Sequence, residues 1–265
     1  MSAIFPQIMG ILNVTPDSFS DGGKYFSADD AIRRACALAD EGADIIDIGG
    51  ESTRPGAEEV PASEEIRRTA PVIEAIRKIY PNIEISIDTT KHETAAAAAD
   101  AGATIINDIS GMDFDERIGS LCAERGLAIC LMHIQGVPRT MQANPTYDNV
   151  VREVKENLLE KIRRARSAGV LRIIADVGIG FGKSVEHNWE LLRNYKEFSA
   201  LGVPTLLGIS RKSFIGKTFG IDVPAERDLI TAFIHALMMN DPPDIVRVHN
   251  VALLNSLREV HKRLS

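Results

Sequence analysis

"IADVGIGFGKS", residues 174–184, closes on Gly182-Lys183-Ser184 and so poses a choice between two folds. A phosphate-cradling loop would place the chain among the nucleotide-binding sheets, but such a loop needs a glycine five positions before its Gly-Lys pair, where the backbone bends around phosphate. Val177 stands at that position, and the dinucleotide spacing G-x-G-x-x-G is not met either. What remains is a polar residue, Asp176, at the end of an apolar run, followed by glycines that let the chain turn sharply. The segment reads as a strand that delivers one side chain to a site, with Lys183 at the rim.

The same grammar recurs along the chain. Short β-rich runs, "IMGILNV" (8–14), "DIIDIG" (44–49), "EISIDT" (84–89), "TIINDIS" (104–110), "AICLMH" (128–133), "RIIADV" (172–177), "TLLGIS" (205–210) and "IVRVH" (245–249), alternate with segments of helical spacing such as 28–42, 63–80, 90–102, 148–169 and 225–239. Strand alternating with helix implies parallel pairing through right-handed crossovers, and eight such units can close on themselves. An open doubly wound sheet usually has fewer strands and carries a nucleotide fingerprint after the first. No linker or shift of composition divides the 265 residues. The expectation is an α/β fold, a single (β/α)8 TIM barrel domain over 1–265, with the longest strand-to-helix loops, 15–27 and 50–63, as lids.

Composition sets outer limits. A chain 45% hydrophobic and 25% charged has the means to build a packed core, which excludes a disordered polymer. A net charge of -7 disfavours nucleic acid as a partner, while a small local anion pocket stays open. Cys36, Cys122 and Cys130 form no C-x-x-C pair and sit in apolar contexts, the pattern of buried reduced thiols. The stretch "MSAIFPQIMG" has no basic region ahead of a long apolar one, and no run reaches the roughly 18 apolar residues of a membrane span. A cytoplasmic protein with no membrane partner is expected.

In a barrel of this kind chemistry gathers at the C-terminal ends of the strands. There the runs deliver Asn13, then Glu51 with Thr53 and Arg54, Asp88, Asn107 with Asp108, His133, Asp176, Ser210-Arg211-Lys212-Ser213, and Arg247 with His249. Helix capping competes with binding, and for Ser210 the two stand level. Asp88 is not needed for capping, because Thr90 and Glu93 supply a capping box for the next helix. Arg247 and His249, two apart on a strand, share one face. They make either a buried ion pair or an anion site in which the arginine fork grips phosphate oxygens. Arg54, Arg211 and Lys212 on neighbouring loops would then give an acidic protein a local positive field. His133 stays open between packing and ligand contact, and the charges of 152–166 read as the solvated face of an amphipathic helix.

The segments "MGILNVTPDSFSDGG" (9–23) and "GADIIDIGGESTRPG" (42–56), followed in order by "SIDT" (86–89), "INDISG" (106–111), "LMHIQGVPRTMQ" (131–142), "GIGFGKS" (178–184), "GISRKSFIG" (208–216) and "RVHNV" (247–251), resemble the dihydropteroate synthase family over nearly the whole chain. Two positions depart from the common pattern: Val177, where proline is usual, and Asn250, where aspartate is usual. The resemblance implies condensation of 6-hydroxymethyl-7,8-dihydropterin pyrophosphate with 4-aminobenzoate by a dissociative displacement. It implies a pterin site of Asp88, Asn107, Met132, Asp176 and Lys212, and a pyrophosphate site of Asn13, Arg247 and His249. The aminobenzoate would lie among Phe19, Thr53, Pro55, Phe181, Lys212 and Ser213. Mg²⁺ would be held by Asn13 and Asp17, the catalytic groups would be Asp88, Lys212, Arg247 and His249, and a homodimer is expected from the family. A pterin-binding methyltransferase and a catalytically silent pterin-binding paralogue are the alternatives.

Overall fold

A computed structural model describes residues 5–15, 28–52 and 59–264. Eight parallel strands, β1 Gln7–Asn13, β2 Ile45–Gly49, β3 Glu84–Asp88, β4 Ile105–Asp108, β5 Ala128–Met132, β6 Arg172–Asp176, β7 Thr205–Leu207 and β8 Ile245–Val248, close into a barrel in sequence order. β8 returns to pair with β1. Around it run α1 Ala28–Asp40, α2 Ala62–Ile79, α3 His92–Ala101, α4 Arg117–Arg125, α5 Val150–Ser167, α6 Val185–Arg193, α7 Ser213–Phe219, α8 Asp228–Leu237 and α9 Val251–Leu264. This is the (β/α)8 architecture that the eight runs imply. Among the described residues no helix is long and apolar enough to cross a membrane.

Successive residues of a strand face opposite sides, so each strand feeds two different cores. Ile8, Ile46, Ile87, Ile106, Leu131 and Ala175 face outward and pack in one cluster with helix residues such as Ile73, Leu158 and Leu191. Met9, Ile45, Ile105, Ala128, Cys130, Ile174, Leu206 and Ile245 form a separate cluster, the apolar plug inside the barrel. Two residues further along four of these strands the inward position turns polar: Ile45 is followed by Asp47, Ile105 by Asn107, Ile174 by Asp176 and Ile245 by Arg247. The plug thus becomes the floor of a polar mouth.

Local details differ from the sequence expectations in three places. Helix α3 has Lys91 at its N-cap with no side-chain bond, so no box forms from Thr90 and Glu93; Thr89 Oγ1 takes the Lys91 N–H at 3.2 Å instead, one residue closer to the strand. A capping box does form on α6, between Ser184 and His187. On α5 the charged residues are not all solvated. Lys161 is 1% exposed, because three acceptors converge on its ammonium and a buried cation persists where its protons are matched. Cys122 and Cys130 are buried, whereas Cys36 is half-buried at the edge of the α1 face formed by Ala31, Ala35 and Leu38.

The turn after β6 needs a glycine. Gly178 has φ +67°, and a Cβ there would stand 1.9 Å from the His133 carbonyl oxygen. Gly178→Ala is expected to lower stability by more than the ~1–2 kcal/mol of a left-handed alanine alone, because the overlap with β5 adds to it. Urea titration checks this; an unchanged midpoint would refute the packing described.

Candidate functional site

The polar layer is organised around Arg247. Its Nε donates to Asp47 Oδ2 at 2.6 Å and its Nη2 to Asp88 Oδ2 at 2.8 Å. Asp47, fully buried, also accepts from Asn107 Nδ2 at 3.2 Å. A continuous chain Asp88–Arg247–Asp47–Asn107 therefore crosses the floor of the mouth. Of the two sequence readings of Arg247, the ion pair is the one seen here, and Asp47 is a member that a search of strand ends passes over. Its signal was the alternation in "DIIDIG": counting two residues on from Ile45 puts Asp47 on the inward face.

This layer is electrostatically tight. Burial drives the Asp88 carboxyl up to about 7, with Arg247 opposing and Asp47 reinforcing the rise. Burial works to lower the Arg247 pKa, but Asp47 and Asp88 outweigh it and the guanidinium stays charged. The Asp176 carboxyl is also raised by burial, against the pull of Lys212 and of the 2.8 Å bond from the Gly178 N–H to its Oδ1. Lys212 is brought down to about 8 by burial, with Asp176 holding it up. Its Nζ donates to the Ile179 carbonyl and lies 4.7 Å from the centroid of the Phe181 ring.

Two glycines mark where these groups converge. A Cβ on Gly208 would lie 3.9 Å from both Asp176 Oδ2 and Lys212 Nζ and 3.8 Å from Arg247 Cβ. Asp176, Lys212 and Arg247 thus surround one bare stretch of backbone at the same end of the barrel. A Cβ on Gly49 would lie 3.9 Å from both Asn13 Oδ1 and Asp88 Oδ2. Met132 is 2% exposed at the end of β5, and Ser213 is exposed at the start of α7.

At the end of β8 the His249 N–H donates to Ser210 Oγ at 3.2 Å, and Ser210 Oγ lies 3.0 Å from His249 Nδ1. A hydroxyl carries one proton and two lone pairs, so Ser210 accepts the amide proton and shares a second hydrogen bond with Nδ1 in either tautomer of the ring. Ser210 is a turn residue and not a cap: the Lys212 N–H closes the turn on the Ile209 carbonyl at 3.2 Å, and α7 starts three residues after Ser210, with Lys212 at its N-cap. Asp108 is turn structure, its carboxylate accepting from the Ser110 and Met112 N–H groups at 2.8 and 2.7 Å.

Two basic residues are not where the sequence reading puts them. Arg211 leaves the mouth because its guanidinium is held in a fork by Asp228 of α8, at 2.8 and 2.7 Å. Asn250 donates to the same carboxylate at 3.3 Å and accepts from the Leu253 N–H at 3.1 Å, a double use that an aspartate could not make. Lys183 is not at the rim. It is 2% exposed, its Nζ donating to the carbonyls of Gly178 at 2.8 Å and Phe181 at 3.0 Å and lying 2.9 Å from His133 Nδ1. Its ammonium turns inward because the glycine-bent loop aims its carbonyls there, and His133 is correspondingly part of the packing.

Glu51 pairs with Lys91 and accepts from the Val60 N–H at 2.9 Å, which fixes both flanks of residues 53–58. Asp17, Phe19, Thr53, Arg54 and Pro55 lie outside the described residues, as do most of the loop 15–27 and the middle of 50–63. Among the described residues there is no group of three or more His, Cys, Asp or Glu side chains able to hold a metal.

Asp47→Ala would strip the buried guanidinium of one of its two carboxylates. Breaking such a pair costs roughly 3–5 kcal/mol, so the guanidinium chloride midpoint should fall sharply. A loss below about 1 kcal/mol would mean that the pairing has little structural weight.

The sequence profile described as pterin binding enzyme matches residues 9–249. Dihydropteroate synthase of Haemophilus influenzae is 45% identical over 258 residues, covering 96% of this chain and 92% of that protein. The crystal structure of Xanthomonas albilineans dihydropteroate synthase with 4-aminobenzoic acid superposes with a TM-score of 0.91 at 41% identity, over 98% of this chain and 93% of that one. The same enzyme in complex with 7,8-dihydropteroate gives 0.88 at 38% identity, over 98% and 94% of the two chains.

Proposed function

The chain belongs to the dihydropteroate synthases of the pterin binding enzyme family, and on that premise we propose that it joins 6-hydroxymethyl-7,8-dihydropterin pyrophosphate to 4-aminobenzoate, releasing pyrophosphate. The observation that carries the reading is the convergence of Asp176, Lys212 and Arg247 about Gly208. One molecule can be gripped there by a heterocycle at one end and a diphosphate at the other.

Asp176 accepts from the ring N–H and exocyclic amine of the pterin, Asn107 complements a second edge, Lys212 donates to ring acceptors and Met132 adds apolar contact. A polar set of this kind rejects ligands that would leave its buried groups unpaired. Arg247 uses Nε and Nη2 on its two carboxylates. Its Nη1, His249 and Asn13 serve the diphosphate oxygens. The methylene C–O bond breaks first and its electron pair leaves on pyrophosphate. The resulting cation is shared with the ring and stabilised by the Asp88 carboxylate. The amine lone pair of 4-aminobenzoate then forms the C–N bond and its proton passes to solvent; an aromatic amine is already unprotonated near neutral pH, so no general base is required. Phe181, Lys212 and Ser213 border the aminobenzoate, with Phe19, Thr53 and Pro55 brought in from the two long loops to exclude water.

Mg²⁺ takes hard oxygen donors and keeps several waters, so it needs few protein ligands when substrate phosphate is present. Asn13 Oδ1 and Asp88 Oδ2 both border Gly49, with no cluster of three acidic, histidine or cysteine side chains among the described residues. Such a donor set suits an ion carried with the diphosphate and held by Asn13 and Asp17. When bound, the ion would neutralise charge on the leaving group.

The assignment extends to a single catalytic domain over 1–265, a reducing cytoplasm, in keeping with buried Cys122 and Cys130, and independence of nucleic acid, in keeping with the charge of -7. The working form is a homodimer. Leu229, Phe233 and Leu237 recur every four residues along α8 and are 52, 53 and 84% exposed, an apolar stripe that a second copy would cover.

Incubation with the pterin pyrophosphate, 4-aminobenzoate and Mg²⁺ should yield dihydropteroate by mass spectrometry, and Arg247→Ala should cut kcat/KM by about 100-fold or more. No product from a folded protein that still binds pterin would favour the silent paralogue. The pH profile of kcat/KM should be bell-shaped: activity falls as pH drops through about 7, where Asp88 loses its charge, and as it rises through about 8, where Lys212 does. Lys212→Arg should move only the alkaline limb upward, since a guanidinium stays protonated. An alkaline limb that stays in place would remove Lys212 from that role.

A further inference from the structure

Two buried lysines have no part in this chemistry. Lys161 Nζ, from α5, donates to the carbonyls of Met132 at 3.0 Å and Ser110 at 2.6 Å and pairs with Asp113 at 2.9 Å. Lys183 Nζ takes the very next carbonyl, that of His133, at 3.3 Å, together with those of Gly178 and Phe181 at 2.8 and 3.0 Å. Consecutive carbonyls at the end of β5 are thus held by two separate lysine amino groups, one reaching back to the loop after β4 and the other forward across the loop after β6.

Burying an ammonium is costly, so its placement calls for a reason. The barrel ladder does not supply one, since β5 is paired with β4 and β6 along its own length. What the lysines tie together are the loops. Ser110 lies three residues beyond Asn107, and Gly178 lies two beyond Asp176 and donates its N–H to that carboxylate. Gly111 and Gly178 leave the necessary room: a Cβ on Gly111 would stand 2.6 Å from Lys161 Cδ, and one on Gly178 would strike the His133 carbonyl.

We propose that Lys161 and Lys183 are positioning residues, paired clamps on the Met132-His133 carbonyls that set the distance between Asn107 and Asp176 and thereby the affinity for the pterin ring. The proposal rests on the pterin reading above. It assigns the lysine of the Gly-Lys-Ser segment to shaping a heterocycle pocket, with no phosphate contact.

The test is calorimetric binding of 6-hydroxymethylpterin, with KM for both substrates, on wild type, Lys183→Met, Lys161→Met and Lys161→Arg. Each methionine variant should weaken pterin binding by roughly ten- to hundred-fold, the loss expected from a small displacement of binding groups. KM for 4-aminobenzoate should stay within about twofold, and Lys161→Arg should recover part of the loss. Folded methionine variants that bind pterin like wild type, or in which both KM values shift together, overturn the proposal. So does failure of both to fold, which would make the lysines part of the frame. A wild type that binds no pterin would withdraw the functional reading itself, and this inference with it.

Discussion

Two carboxylates at the closed end of a barrel mouth cannot both stay charged unless a cation is fixed between them, and Arg247 is placed there by Asp47 on one side and Asp88 on the other. Water is scarce at this depth: Asp47 is fully buried and the Asp88 side chain is 12% exposed. The guanidinium therefore offsets charge that solvent cannot screen. Its two bonds also fix the direction in which the rest of the fork points. On the proposed reading this preorganises the diphosphate end of the site, because the arginine need not be gathered from a mobile ensemble when substrate arrives.

The ion pair depends in turn on the two-residue period of the strands. Ile45, Ile105, Ile174 and Ile245 plug the barrel, and the next inward residues are Asp47, Asn107, Asp176 and Arg247. One register therefore makes both a stable core and a polar floor. A slip by one residue would exchange the inward and outward sets and lose both together. Above that floor the loops are tied down by side chains that no substrate need touch: Lys161 and Lys183 on the carbonyls at the end of β5, Asp228 on Arg211 with Asn250 donating to the same carboxylate, and Lys91 on Glu51.

Much of this was legible in the sequence. All eight apolar runs are strands, because isoleucine-rich runs between glycine-marked turns and helical segments have few other ways to pack. Asp88, Asn107, Asp176 and Arg247 could be singled out because polar residues ending apolar strands are unusual unless paired or used. Less legible was everything decided by a partner distant in sequence. Asp47 looks like an interruption until Arg247, 200 residues away, is found on it. Lys161 and Lys183 carry the sequence marks of solvated or rim residues, and only the convergence of backbone carbonyls explains their burial. Arg211 points to Asp228 and Ser210 to His249 for the same reason: local patterns do not encode which acceptor lies nearest in space.

The central claim is that a single mouth holds a heterocycle against Asp176 and a diphosphate against Arg247. A crystal structure of the protein with the pterin pyrophosphate and Mg²⁺ tests this most directly. The account requires the ring amines within hydrogen-bond distance of the Asp176 carboxylate and phosphate oxygens on the Arg247 guanidinium, with Asp47 and Asp88 still behind it. Density for the ring away from Asp176, or a diphosphate bound out of reach of Arg247, would contradict it.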